Sequence, residues 1–107
     1  MSVTITRKNL KTETQNPLTI LDFWAPWCGP CKMMDPVMHK LERKFSGRIH
    51  FGRMNVDHHW DLAKRYQIFS IPSLVVFEHG KAHEKVTGYY SFEPLAKFFR
   101  SKIKEVQ

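Results

Sequence analysis

Cys28 and Cys31 are the only two cysteines in the chain, and Gly29-Pro30 separates them within LDFWAPWCGPCKMMDPV, residues 21–37. Thiols three apart at the start of a helix project from neighbouring positions on one face, within reach of a sulfur–sulfur bond. Such a pair can cycle between dithiol and disulfide. The unpaired N–H groups and positive dipole end at a helix N-terminus favour a thiolate over a thiol. Cys28, nearer that end, gains most and is the expected attacking nucleophile; Cys31, one turn further in, is expected to be more deeply buried and to act as the resolving thiol. Gly29 permits a tight turn and Pro30 fixes one backbone angle, which together limit how far the sulfurs drift apart.

Other uses of two cysteines fit less well. A structural zinc site takes four ligands, and the histidines available (His39, His50, His58, His59, His79 and His83) form no second spaced pair, so no metal is expected. A purely structural cross-link over so short a loop would restrict the unfolded chain little. The acid just upstream, Asp22, interrupts an apolar run. Buried there as an anion it would be costly, so its pKa should rise and its proton become mobile near neutrality, which suits a general base. The alternative is an exposed acid near a strand end, but Phe23 and Trp24 continue the apolar run beyond it.

The elements that must hold these groups follow from periodicity. LTILDFW, Leu18 to Trp24, is apolar on both faces except at Thr19 and Asp22, the pattern of a central strand covered on both sides. After the Ala25-Pro26-Trp27 turn, Met34, Val37, Met38, Leu41 and Phe45 share one helical face, predicting a helix from about Cys28 to Phe45, kinked at Pro36 and ended by Gly47. Ile49–Val56 reads as a strand, His58–Tyr66 as a short helix and Ser73–Phe77 as a second buried strand. His79-Gly80-Lys81 turns that strand into another ending near Gly88. Ser91 resembles an N-cap for a terminal helix whose face is Phe92, Leu95, Phe99, Ile103 and Val106. Val3 and Ile5 suggest a short edge strand, and Asn9–Asn16 a short helix or turn. A strand–helix–strand unit followed by a hairpin and a helix predicts an α/β fold: a central mixed β-sheet flanked by α-helices.

With 107 residues and no repeat or linker-like tract, the whole of 1–107 reads as one domain. Apolar residues make up 42% against 25% charged, the balance of a chain that packs a core. The formal charge of +7 could serve nucleic acid, but Arg7, Lys8 and Lys11, Arg43, Lys44 and Arg48, and Lys97, Arg100, Lys102 and Lys104 are scattered, so a solvated basic surface is expected and nucleic acid is not. The opening MSVTITRKNL lacks the unbroken apolar centre of a secretory signal and no stretch has the length of a membrane span, so the reading is a cytoplasmic protein without a membrane role.

FWAPWCGPCKM, the upstream Asp22, the later Ile71-Pro72-Ser73, and the closing His79-Gly80-Lys81 and Gly88, in that order over essentially the whole chain, resemble the thioredoxin family. A lone Cys-x-x-Cys is a weak signal; WCGPC followed some forty residues later by Ile-Pro is specific. The resemblance implies a thioredoxin-like fold and a monomeric thiol–disulfide oxidoreductase that reduces disulfides in client proteins. It would be recycled by a thioredoxin reductase fed by NADPH and would bind no cofactor of its own. It also implies that Asp22 helps deprotonate Cys31 through water. A cis bond at Pro72 would place the Ile71 backbone beside the sulfurs, where it could meet an extended client segment and keep metal away. Trp27, Ile71, Pro72 and Gly88, with Tyr89, would form an apolar docking rim alongside Gly29 and Pro30.

Two positions depart from that pattern. Where the family usually has a lysine near the acid, this chain has Arg53; and Asp35, one turn after Cys31, replaces a small or basic residue. We expect Arg53 to pair with Asp35 and so share a cation that would otherwise serve Asp22 alone, since a guanidinium can hold two carboxylates; two unrelated surface charges are the alternative. Trp24 is expected to pack against the sheet, Trp60 to be core or helix surface, and the five methionines, three of them in the first long helix, to fill the core. Two other functions use the same features: a binding module that docks partners on the rim, and a relative tuned to oxidise. Replacing both cysteines by serine separates the first, because docking would survive and turnover would not; redox potential separates the second.

Overall fold

The computed structural model describes residues 2–107. Its order is β1 (Val3–Thr4), α1 (Leu10–Glu13), β2 (Leu18–Trp24), α2 (Gly29–Lys44), β3 (His50–Asn55), a 3₁₀ turn (Val56–His58), α3 (Trp60–Arg65), β4 (Ser73–Glu78), β5 (Lys81–Thr87) and α4 (Phe92–Val106). The five strands form one sheet in the order β1-β3-β2-β4-β5, with β1–β3 and β2–β3 parallel and β2–β4 and β4–β5 antiparallel. It is the mixed sheet expected from the sequence, with the two-residue β1 at one edge. The hairpin between β4 and β5 turns at His79 and Gly80, both at positive φ, a geometry that follows the twist of the flanking strands.

The alternation along β2 divides the core. Leu18 and Ile20 face one side with Met34, Met38, Leu41 and Phe45 of α2 and Leu95 and Phe99 of α4, while Leu21 and Phe23 face the other with Leu10 of α1 and Leu62 and Ala63 of α3. Each such side chain removed from water stabilises by about 1.5–3 kcal/mol, so β2 anchors both layers. Asp22 has the parity of Leu18 and Ile20, which points it toward α2. On β3 the partner aligned with it is Arg53, of the same parity as Phe51, so the two charged side chains share the α2 face of the sheet.

Three local expectations gain detail, and only that for the methionines changes. Ser91 stands at the N-cap of α4 with extended backbone but makes no side-chain capping bond. Met34 and Met38 are buried, whereas Met33 is exposed, because only the former two fall on the core-facing stripe of α2. Trp60 lies on the surface at the start of α3. Among the described residues, no helix is long and apolar enough to cross a membrane, and no cluster of three or more His, Cys, Asp or Glu could hold a metal ion.

Candidate active site

β2 ends at Trp24 and α2 begins at Gly29, so the Ala25–Cys28 turn delivers the chain from a central strand to a helix N-terminus. Cys28 is the N-cap residue of α2, with Pro30 in the first turn, where its missing N–H costs nothing. Cys28 and Cys31 are joined by a disulfide, with Cα atoms 5.3 Å apart. The backbone N–H of Cys31 donates to Cys28 Sγ at 3.2 Å, so the sulfur fills the capping role that an oxygen plays in other helices. The two cysteines are equally buried, each 4% exposed, which corrects the expectation that Cys31 lies deeper. What distinguishes them is the capping position: only Cys28 receives the helix N–H.

Ile71 and Pro72 are joined by a cis peptide bond, and the Ile71 carbonyl oxygen sits 3.8 Å from Cys28 Sγ. Since the sulfur carries no hydrogen in the disulfide, this is a packing contact. Pro72 O accepts a hydrogen bond from the Gly88 N–H at 2.8 Å, and Gly88 holds φ +99, a left-handed conformation that other residues adopt at a cost. This bond ties the start of β4 to the end of β5 beside the disulfide. Trp27 is 63% exposed, Gly29, Pro30 and Tyr89 are exposed and Ile71 is partly exposed, whereas Pro72 is buried. The Trp27 indole Nε1–H donates to both carboxylate oxygens of Asp57 at 3.0 Å. Asp57 gave no signal in the sequence, because its partner is thirty positions away and the 3₁₀ turn that carries it is held locally by Asn55.

Beneath the disulfide the site is charged. Asp22 is only 5% exposed, which excludes an exposed acid at the strand end. Its Oδ2 lies 3.7 Å from Arg53 Nε, too far for a hydrogen bond, and its Oδ1 has no partner. The guanidinium is turned instead to Asp35, with Nη2 donating to Oδ1 at 3.1 Å, and is stacked 4.4 Å over the Trp24 ring. Burial therefore pushes the Asp22 carboxyl up to about 7; Arg53 opposes this, and the negative charges of Asp35 and Glu42 add to it. Glu42 is a second group that sequence reasoning missed. It follows Asp35 by seven positions, hence shares its face of α2, and is buried; an acid at a helical core position is the signal that could have found it.

A profile of the thioredoxin family matches residues 1–101. The chain belongs to the thioredoxin family. Thioredoxin of Staphylococcus saprophyticus is 37% identical over 101 residues, 94% of this chain and 97% of that protein. Thioredoxin of Staphylococcus aureus is 36% identical over 94 residues, 88% and 90% of the two chains. Among solved structures, a mutant thioredoxin from Halobacterium salinarum superposes with a TM-score of 0.87 at 29% identity, covering 95% of this chain and 90% of that one. The sheet and its helices are thus a thioredoxin-like fold, and the family together with the bonded Cys28–Cys31 pair makes this member a thiol–disulfide oxidoreductase.

Proposed function

We propose that this thioredoxin reduces disulfides of client proteins, with Cys28 as nucleophile, Cys31 as resolving thiol and Asp22 as the base for Cys31. The observation that carries the assignment is the Cys31 N–H directed at Cys28 Sγ at the N-cap of α2. In the dithiol state the same donor and the helix dipole stabilise a thiolate on Cys28. That thiolate attacks one sulfur of the client disulfide, and the other client sulfur leaves as a thiolate and takes a proton from water. Asp22, ionising near pH 7, accepts the Cys31 proton through water. The Cys31 thiolate then attacks Cys28 Sγ, the mixed disulfide breaks, and the second client thiolate departs. Two electrons have passed to the client, and Cys28–Cys31 is the disulfide.

Arg53 and Asp35 tune the base: as long as Asp35 holds the guanidinium, Asp22 feels it only at 3.7 Å and remains a weak enough acid to exchange protons at neutrality. Trp27, Gly29, Pro30, Ile71 and Gly88 form the surface on which the client lands, with the Ile71 backbone available to an extended segment; Pro72, expected on this rim, is buried and acts from beneath it by setting the direction of the Ile71 carbonyl through the cis bond. Residues 1–107 act as one domain and as a monomer, in the cytoplasm, with a thioredoxin reductase returning electrons from NADPH and with no cofactor or metal bound to this chain. Nucleic acid and membrane play no part in this reading.

The test is reduction of a model protein disulfide coupled to NADPH consumption through thioredoxin reductase, with Cys28→Ser as control. Turnover that the control lacks is the expected result. No turnover, either with the reductase or with dithiothreitol as electron source, would remove client reduction as the activity.

A further inference from the structure

We infer that a crevice beside the disulfide, bounded by Trp27, Trp60, Ile68, Phe69, Ser70 and Ile71, selects clients carrying one bulky apolar side chain two or three residues from the cysteine that bonds Cys28, with an acidic residue beyond it. The inference rests on the client-reduction reading and specifies which clients it favours.

Phe69 is 83% exposed and Trp60 51%, although three other phenylalanines, Phe23, Phe45 and Phe99, are fully buried. Holding such rings in water forgoes about 1.5–3 kcal/mol apiece, and clustered exposed apolar groups mark surfaces that another molecule covers. The cavity between them is about 240 Å³, below the range of pockets that take a whole small-molecule ligand, and so suited to a single side chain. It is continuous with the reacting sulfur: Trp27 immediately precedes Cys28, and the Ile71 carbonyl is 3.8 Å from Cys28 Sγ. A segment tethered at Cys28 and running extended advances about 3.3 Å per residue, which brings its second or third neighbour over the crevice.

The two ends differ in charge. At the Trp27 end stands the Asp57 carboxylate, held by the indole. At the Phe69 end Lys85 Nζ lies 5.8 Å from the ring centroid and donates to the neutral Gln67 carbonyl oxygen, with no carboxylate paired to it among the described residues. An uncompensated ammonium at the far end favours a client carboxylate there, and the overall +7 charge acts in the same direction.

The probes are heptapeptides with a single cysteine in mixed disulfide with nitrothiobenzoate. The low-pKa nitrothiobenzoate is the better leaving group, so Cys28 attacks the peptide sulfur and releases the coloured thiolate, and Cys31 then displaces the peptide. Peptides with phenylalanine two residues before or two residues after the cysteine are compared with alanine counterparts, using the full-length reduced protein. At least one phenylalanine placement is expected to react about tenfold faster than alanine, and the ratio is expected to fall to about one in Phe69→Ser and in Trp60→Ser, both surface changes. Glutamate beyond the phenylalanine is expected to outpace lysine there by about threefold at low salt, with the preference lost in Lys85→Gln.

Equal rates for phenylalanine and alanine peptides would overturn the crevice assignment while leaving client reduction intact. No colour release from any peptide would overturn both. A concentration-dependent dimer in sedimentation that Phe69→Ser dissolves would assign the crevice to a second copy of the chain and likewise overturn the proposal.

Discussion

The site has a floor and a rim, and each carries the residue types usually found in the other's place. The floor, beneath the first turns of α2, holds Asp22 and Glu42 buried, with Asp35 and Arg53 partly so, while the rim leaves Trp27, Trp60 and Phe69 in water. In the floor, loss of hydration dominates: it raises the Asp22 carboxyl against the pull of a guanidinium 3.7 Å away, which is itself engaged by Asp35 and by the Trp24 ring. At the rim, hydration is retained and the unfavourable term is apolar exposure, which only a partner relieves. The contrast separates two jobs. Under the proposed function, proton handling belongs to the floor and client choice to the rim, so a change in one should leave the other's measurable signature alone.

Replacing Cys28 by serine is the largest change and touches neither layer. Turnover in the reductase-coupled assay is expected to fall by at least about a thousandfold; a loss of tenfold or less would place the attacking group elsewhere.

Asp22→Asn breaks the floor. Steady-state reduction at pH 7 is expected to slow by about 10²-fold at the resolution step, seen as an accumulating mixed disulfide. Stability should change as well. Asp22 ionises at about 7 in the fold against an ordinary 3.8, so the native state holds the proton more tightly. The resulting stabilisation is complete below about pH 4 and is lost as pH rises through 7. Asparagine removes that dependence, so urea denaturation at pH 8 should find the variant more stable than wild type by about 2–4 kcal/mol, and at pH 4 nearly equal. Parallel curves for the two proteins across that range would mean that Asp22 is not the buried acid.

Trp27→Ala breaks the rim. The KM for a protein client is expected to rise about tenfold while the pH dependence of kcat stays in place. A moved pH profile with unchanged KM would show that floor and rim are coupled.

The finest test is Asp35→Asn. Releasing Arg53 to Asp22, and removing a negative charge that raises it, should shift the pH dependence of resolution toward lower pH, with a rate change at pH 7 of no more than about fivefold. An unmoved profile would mean that Arg53 is not shared between the two carboxylates.

Much of this was legible because it is local. LTILDFW announces a two-sided central strand by its own composition, and β2 spans those same residues. The Cys28–Cys31 spacing, with Gly-Pro between, identifies a redox pair at a helix start without knowledge of any distant residue. Burial of Asp22 followed from the apolar residues on either side of it. Exposure was harder to read. The apolar residues of the loop before Pro72 look like core by composition, yet Ile68 is buried and Phe69 is almost fully exposed, one position apart. The relative depth of the two cysteines departs from expectation for a similar reason: one helical turn predicts a difference, but the turn before α2 and the Ile71 backbone cover Cys28 as well.

Periodicity, turn residues and cysteine spacing are properties of neighbouring residues along the chain, and from them the amino-acid sequence alone determined the strand and helix order, the mixed sheet and the reacting sulfurs. The alignment of Asp22 with Arg53 across β2 and β3, the reach of Asp57 to Trp27, the burial of Glu42 and the placing of Trp60 and Phe69 along one crevice were decided only by the tertiary structure. Each depends on strand register or on how much water several separate segments jointly exclude, and neither quantity exists until the chain has packed.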